Sequence, residues 1–485
     1  MDPALFAAEV LVDLPYSAND QQVAVVGALS RFVNTPTNAD CAFILNGYAG
    51  TGKTSLTGAL VRNLERHKRP VLLLAPTGRA AKVFSANSGG HAAFTIHRKI
   101  YRHNPDAETG GYDAPAPAEN KYRNAVFIVD EASMIGVADE RGTNLLEDLI
   151  TFVFSGENCR LILMGDTAQL PPVGAERSPA MNPDTLRAMG VKVTLATLTE
   201  TARQAADSGI LFNATRLRKA MAAITRLAAG SPLPVPHLKS EGFDDVVVVE
   251  GTDLPDILQS TYDCADNGPA DSILITRSNK RAVEYNAAIR SQVLYREEEI
   301  ERGDMLIVSR NHYFPKRTEG LDFIANGDII TIERVYGTEA RYGLRFADVR
   351  ISIAAPDNPE RLIELDTKIV LDTLTDPAAN LSPEVRNNLY YTLLADNGPY
   401  GNMPMPARLW AVRKNEYWTA LHVKYAYAVT CHKAQGGQWH NVFVDLAYIP
   451  EDAFGLTLYR WLYTAVTRAR TRLFLIAPPQ ALMAD

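Results

Sequence analysis

Short apolar runs occupy residues 42–46, 71–75, 126–129 and 161–164, each bounded by Gly, Pro, Thr or Asp, and helical periodicity follows several of them. Unbroken runs of this length suit strands buried on both faces, as in a parallel sheet covered by crossover helices. A second set lies at 273–276, 442–446 and 473–476, with helical periodicity over 279–292 and 456–470. The pattern predicts two α/β lobes, the second split around a long insertion. Within that insertion, residues 304–308 and 328–332 alternate as short strands, with an Asn326-Gly327 turn between them. A small β-rich accessory domain is expected there. A shorter insertion, residues 98–123, carries Gly110-Gly111, Pro115 and Pro117 and reads as a hairpin or a long loop.

The 485 residues exceed one compact core, so several domains are expected. With 46% hydrophobic and 22% charged residues, the composition is that of a globular chain. No apolar run approaches the roughly 20 residues that span a bilayer, so no membrane segment is predicted. The opening stretch, 1–14, mixes Asp2, Glu9 and Asp13 with apolar residues and has no basic region. Cys41, Cys159, Cys264 and Cys431 lie far apart without CxxC spacing, which argues for a reducing compartment and against structural zinc. A cytoplasmic chain is expected.

A net charge of −7 speaks mildly against a nucleic-acid partner, although a motor that grips one strand needs only local positive charge. Residues 408–433 concentrate Arg408, Arg413, Lys414, Lys424 and Lys433 among Trp410, Tyr417, Trp418, Tyr425 and Tyr427. That mixture suits a strand-binding surface or, equally, a core strand with a solvated face.

The sharpest chemical signal is Gly47-Tyr48-Ala49-Gly50-Thr51-Gly52-Lys53-Thr54, followed by Ser55, between a predicted strand and a helix. Glycines let backbone N–H groups turn inward around phosphate oxygens, helped by the positive end of the helix dipole. Lys53 supplies a cation to the β- and γ-phosphates of ATP, and the Thr54 hydroxyl suits Mg2+. The run at 126–129 leads into Asp130-Glu131. Alone, such a pair is most often a helix cap. Beside a P-loop it reads as a metal-holding Asp130 and a water-polarising Glu131. Gln169, in the loop from Gly165 to Val173, can place an amide near the γ-phosphate, or belong to an ordinary loop stiffened by Pro171-Pro172.

In this order the segments resemble superfamily 1 helicases, specifically the 5′→3′ branch (1B) of RecD-like and Dda-like enzymes. Asp20-Gln21 resembles the adenine-reading glutamine motif, with Gln21 as reader. Ala75 to Lys82 and Thr95-Ile96-His97-Arg98 resemble the branch's two strand-binding motifs. Leu198 to Gln204 resembles the segment whose arginine, here Arg203, reaches the γ-phosphate. Tyr427 to Gly436 and Tyr463 to Ala469 resemble the last two motifs. The likeness spans roughly 13–290 and 420–477.

The resemblance implies two RecA-like lobes with a β-hairpin insertion and an SH3-like barrel. Lobe one would occupy 1–97 and 124–204, the hairpin 98–123, lobe two 205–300 and 421–485, and the barrel 301–420, with an added arm over 350–420. It implies Arg468 as the arginine finger, Gln435 and Gly436 at the nucleotide, and Pro76, Thr77, Thr95, His97, Thr430, His432 and Lys433 on single-stranded DNA. Tyr112 is the candidate wedge tip. The implied activity is ATP-dependent 5′→3′ DNA unwinding with Mg2+, acting as a monomer on strands and single/double-strand junctions, alongside single-strand-binding or repair proteins. A translocase or the motor subunit of a nuclease complex is a close alternative. A nucleotide-switched assembly ATPase would explain the P-loop but not the last two motifs.

Overall fold

Six strands form one parallel sheet in the order 93–95, 71–75, 126–129, 160–165, 41–47, 192–198. The computed structural model describes residues 1–37, 39–101, 117–136, 144–200, 207–228, 231–264, 268–318, 321–355, 361–378, 380–396, 400–401 and 403–484. Strand Cys41–Gly47 lies between Arg160–Gly165 and Lys192–Leu198, in parallel register with both. Phe43, Leu45, Ile128 and Ile162 face one core layer, and Ala42, Ile44, Phe127, Leu161 and Leu163 face the other. Burial on both sides is why these strands read as continuous apolar runs. Strands Ala93–Thr95 and Lys192–Leu198 are the two edges, and neither carries such a run.

Helix Asp20–Asn34 begins with a capping box between Asn19 and Gln22. Near its far end, the Arg69 guanidinium donates to the Val33 carbonyl and Arg160 to the Thr35 carbonyl, at 3.0 Å for the latter. Two cations at a helix C-terminus complement its dipole as well as its unpaired carbonyls.

The chain divides into two units, one of residues 1–102, 113–248 and 434–485, the other of 103–112 and 249–433. Besides the six-stranded sheet, the first unit holds the parallel pair Trp439–Asp445 and Ala469–Ile476. The second unit holds the parallel pair Ser272–Thr276 and Ala428–Thr430. It also contains a closed barrel of Met305–Val308, Ile329–Arg341, Leu344–Ala354, Leu362–Val370 and Leu421–Tyr425. Parallel strands in both units and a small closed barrel constitute the two-lobe α/β class that the hydrophobic pattern predicted and that the resemblance specified as RecA-like.

The barrel takes its last strand from 421–425, and the first part of the expected arm belongs to barrel strands Leu344–Ala354 and Leu362–Val370. The remainder folds into helices Pro383–Ala395 and Met405–Arg413, whose Leu389, Leu393 and Val412 pack on Leu344, Phe346, Val370 and Tyr417. Of the aromatics in 408–433, Tyr417, Tyr425 and Tyr427 are buried and Trp418 meets Tyr390 edge-on. Only Trp410 is exposed, with the Lys414 ammonium over its ring. The core reading therefore holds for most of that stretch. The ends of the 98–123 insertion meet in an antiparallel bridge between Tyr101 and Pro117, and its middle, with Tyr112, lies outside the described residues.

Candidate nucleotide site

A parallel sheet delivers the C-terminal ends of all its strands to one edge, where open α/β folds place their ligand sites. That edge carries Gly47 after the first long strand, Asp130 after Val126–Val129, and Gly165-Asp166 after their neighbour. Ala75-Pro76-Thr77 and Thr95 end the two strands on the far side of Val126–Val129. Candidates scattered over more than a hundred residues thus share one border of the sheet.

The loop from Tyr48 to Gly52 enters helix Lys53–Arg66 through left-handed backbone, with φ of +74° at Gly50 and +82° at Gly52. A side chain at Gly52 would also collide with the Tyr16 hydroxyl and the Gln22 amide. Gly52 therefore has two reasons to be glycine. Lys53 Nζ donates to the Gly47 carbonyl and, at 3.0 Å, to that of Tyr48. Thr54 is exposed and Ser55 half-buried in the first helical turn, while Thr51 is buried. Tyr48 turns its ring under the Arg218 guanidinium, 4.2 Å away.

The structure separates the two neighbouring glutamines. Gln21 accepts from the Thr199 and Glu200 amides, at 2.9 and 3.2 Å. Gln22 is buried and donates to the Thr51 carbonyl of the P-loop at 3.1 Å. Gln22, which the motif reading passed over, is thus the residue on the loop itself. Its place three residues after the capping Asn19 is the signal that could have found it.

Asp130 and Glu131 stand side by side at the end of their strand. Burial, then the Glu131 charge, pushes the Asp130 carboxyl up to about 6, against the pull of Lys53 and Arg468. Glu131 adopts left-handed backbone, φ 51° and ψ 35°, unusual for a residue with a Cβ. Such strain is held only where surrounding structure overdetermines it, commonly at sites of chemistry.

Arg468 follows helix Leu456–Val466 and is buried. It donates to the carbonyls of Thr464 at 3.0 Å and Gly437 at 3.1 Å, and lies 3.8 Å from Glu131. More than 300 residues apart in sequence, these two form an ion pair at the sheet's edge. Gln169 is buried, and its Oε1 has no hydrogen-bond partner among the described residues. Its neighbour Leu170 is held from both sides: its N–H donates to Thr464 Oγ1 at 2.8 Å, and its carbonyl accepts from the Gln435 amide at 2.9 Å. Gly436, φ +72°, sits where a Cβ would come within 2.8 Å of the Ala80 Cβ.

Thr77 and Thr95 both cap helices, accepting from the Ala80 and Arg98 amides at 3.2 Å each. Their hydroxyl protons remain available for an acceptor such as a phosphate. Pro76 and His97 are half-buried, the latter with its ring 5.7 Å from that of Tyr101. In the second unit, Thr430 is half-buried and His432 exposed. Burial, then the neighbouring Lys424, brings Lys433 down to about 8. Arg203 lies outside the described residues.

Residues 18–233 match the family described as AAA domain, and residues 425–476 match the UvrD-like helicase C-terminal domain. Together the two matches take in more than half of the chain, with the P-loop in the first and Arg468 in the second. An ATP-dependent RecD2 DNA helicase from Deinococcus radiodurans is 34% identical over 168 residues. With that partial likeness, the two domain matches support a helicase of the RecD-like kind. That relative is matched over 35% of this chain and 20% of its own length, so the chain spans about a fifth of it. Uncharacterized protein R530 of Acanthamoeba polyphaga mimivirus is 22% identical over 523 residues, covering 94% of this chain and 99% of that protein. A solved structure of Pif1 helicase from Bacteroides in complex with ADP-AlF3 and ssDNA aligns at 14% identity and a TM-score of 0.46, covering 96% of this chain and 94% of that one. Among the described residues, no helix is long and apolar enough to cross a membrane.

Proposed function

We propose that this superfamily 1B chain hydrolyses ATP to move 5′→3′ along single-stranded DNA and to unwind duplex ahead of it. The observation that carries the reading is the convergence of Glu131 and Arg468 beside the P-loop, at 3.8 Å, from segments far apart in the sequence. Hydrolysis of a phosphoanhydride needs positioning and charge stabilisation more than covalent chemistry. P-loop amides and Lys53 bind and orient the β- and γ-phosphates. Glu131 takes a proton from the attacking water, Gln169 orients that water or the γ-phosphate, and Arg468 and Arg203 offset negative charge. Gln21, Gln435 and Gly436 complete the nucleotide's surroundings.

An all-oxygen donor set from Thr54 and Asp130 fits Mg2+, a hard cation that takes few protein ligands and keeps phosphate and water as the rest. When bound, the ion neutralises charge on the phosphates.

Pro76, Thr77, Thr95, His97, Thr430, His432 and Lys433 contact strand phosphates without reading sequence. The 98–123 insertion, with Tyr112 at its tip, is the wedge at a junction. The domain boundaries implied by the resemblance are part of this proposal, with the barrel extended to take in its strand Leu421–Tyr425. So do action as a monomer and work alongside single-strand-binding or repair proteins. Lys53→Ala removes the phosphate cation alone. It is expected to lower DNA-stimulated ATP turnover by at least about a hundredfold while leaving strand binding measurable by fluorescence anisotropy. Full turnover in that variant would overturn the assignment.

A further inference from the structure

Tyr463 is buried on helix Leu456–Val466, and its hydroxyl makes two contacts with distant parts of the chain. It accepts a hydrogen bond from the Ala49 N–H of the P-loop at 2.9 Å and donates to Asp166 Oδ2 at 2.5 Å. Asp166 is itself buried and uses its other oxygen to accept from the Ala168 amide at 2.9 Å. That turn carries Gln169, whose amide N–H donates to the Asp166 carbonyl at 3.2 Å. Burial and the Asp166 charge hold the Tyr463 phenol far above its ordinary titration range, so it stays a donor. A neutral hydroxyl that accepts from one side and donates to the other polarises both bonds.

We propose that Tyr463 is a positioning residue for ATP hydrolysis, its hydroxyl setting the P-loop and the Asp166–Gln169 turn in register with each other. The inference rests on the reading of the chain as an ATP-hydrolysing motor. Three features support a positioning role over simple packing. A phenylalanine would fill the same space, so the hydroxyl is needed only for its two hydrogen bonds. The next residue, Thr464, accepts from the Leu170 amide at 2.8 Å, so one helical turn grips the loop on either side of Gln169. Arg468 follows a turn later and donates to the Thr464 carbonyl at 3.0 Å, which ties the candidate finger to the same turn. The helix thus holds the nucleotide loop, the Gln169 turn and the arginine as one set, and Tyr463 is the member that touches the loop.

The test is steady-state ATPase with saturating single-stranded DNA on the full chain, comparing wild type, Tyr463→Phe, Asp166→Asn and the double variant. Tyr463→Phe is expected to lower kcat about tenfold or more while KM for ATP changes less than about threefold, because the nucleotide's own contacts remain. Asp166→Asn is expected to lose a similar factor, and the double variant little more than either single one, because both break one chain of hydrogen bonds. Circular dichroism and thermal melts identify any variant that fails to fold, and retained binding of a fluorescent ADP analogue separates lost positioning from a lost site. A Tyr463→Phe enzyme with kcat within twofold of wild type, or losses that multiply in the double variant, would overturn the inference while leaving the motor reading intact. A wild type that DNA does not stimulate would overturn both.

Discussion

Glu131 occupies a backbone conformation that costs energy, yet its carboxylate stands 3.8 Å from the Arg468 guanidinium at the end of the strand that also carries Asp130. The proposed role of general base asks that this carboxylate lie within reach of a water at the γ-phosphate. Glu131→Gln keeps size and loses basicity. It is expected to lower DNA-stimulated ATP turnover by about 10²–10⁴-fold, with nucleotide binding by a fluorescent ADP analogue retained. At this scale the sequence pointed to Lys53 and Thr54 through the glycine-rich loop between a strand and a helix, and to Asp130 and Glu131 because they follow directly on an apolar strand. Gln22 and Tyr463 were not. Gln22 acts through a backbone carbonyl next to a more conspicuous glutamine, and Tyr463 meets Asp166 across 297 positions of sequence. No local pattern encodes a pairing of that range.

Helix Asn279–Ala288 runs into a π-turn, Ile289–Val293, whose Arg290 reaches the start of a barrel strand. Arg290 donates through Nε and Nη2 to Asp304 at 3.0 Å each, and Arg296, the Tyr427 hydroxyl and the Glu301 amide also donate to that carboxylate. Asp304 is fully buried, so its charge is tolerated only because these donors surround it. Asp304→Asn is expected to lower the stability of the second unit by about 3 kcal/mol, seen as a lower urea midpoint.

His312 and His422 belong to the same region. Burial is the first cause that lowers them, to about 4 and about 3, with Arg310 adding to both. An unfolded histidine takes up its proton below about pH 6.5, whereas these stay neutral until well below. Their contribution is therefore complete above that pH and is lost as the pH falls toward 3 or 4. Between pH 7 and pH 5 the loss is on the order of 1–2 kcal/mol for each. Asp130, raised to about 6, acts in the opposite direction in the first unit. The direct check is the difference between wild type and His422→Gln: chemical denaturation of the variant should show the shallower fall with acid.

Elements were legible where burial is two-sided or alternation is clean, as in the parallel strands. Of the longest strands, Ile329–Arg341 showed only a fragment and Leu344–Ala354 none, because their outer stretches mix exposed charge with aromatics that pack on the added helices. Short helices such as Met405–Arg413 gain their place from the Phe346–Tyr417 core rather than from an apolar stripe of their own.

Across the whole chain, the order of motifs revealed the class: a P-loop early, an arginine-bearing segment late, and a barrel placed between them in sequence. What joined them was invisible in any one segment. Helix Leu456–Val466, drawn from the last tenth of the sequence, supplies Tyr463 and Thr464 and leads to Arg468 at a sheet built from the first two hundred residues. A site assembled from distant segments responds to their relative position, the dependence that the proposed motor needs for hydrolysis to drive movement. The direct test is strand displacement by the purified chain with Mg-ATP, on one duplex carrying a 5′ single-stranded tail and one carrying a 3′ tail. Separation of the 5′-tailed duplex alone, abolished by Lys53→Ala, is the predicted result. Separation of the 3′-tailed duplex alone, or of neither, would contradict it.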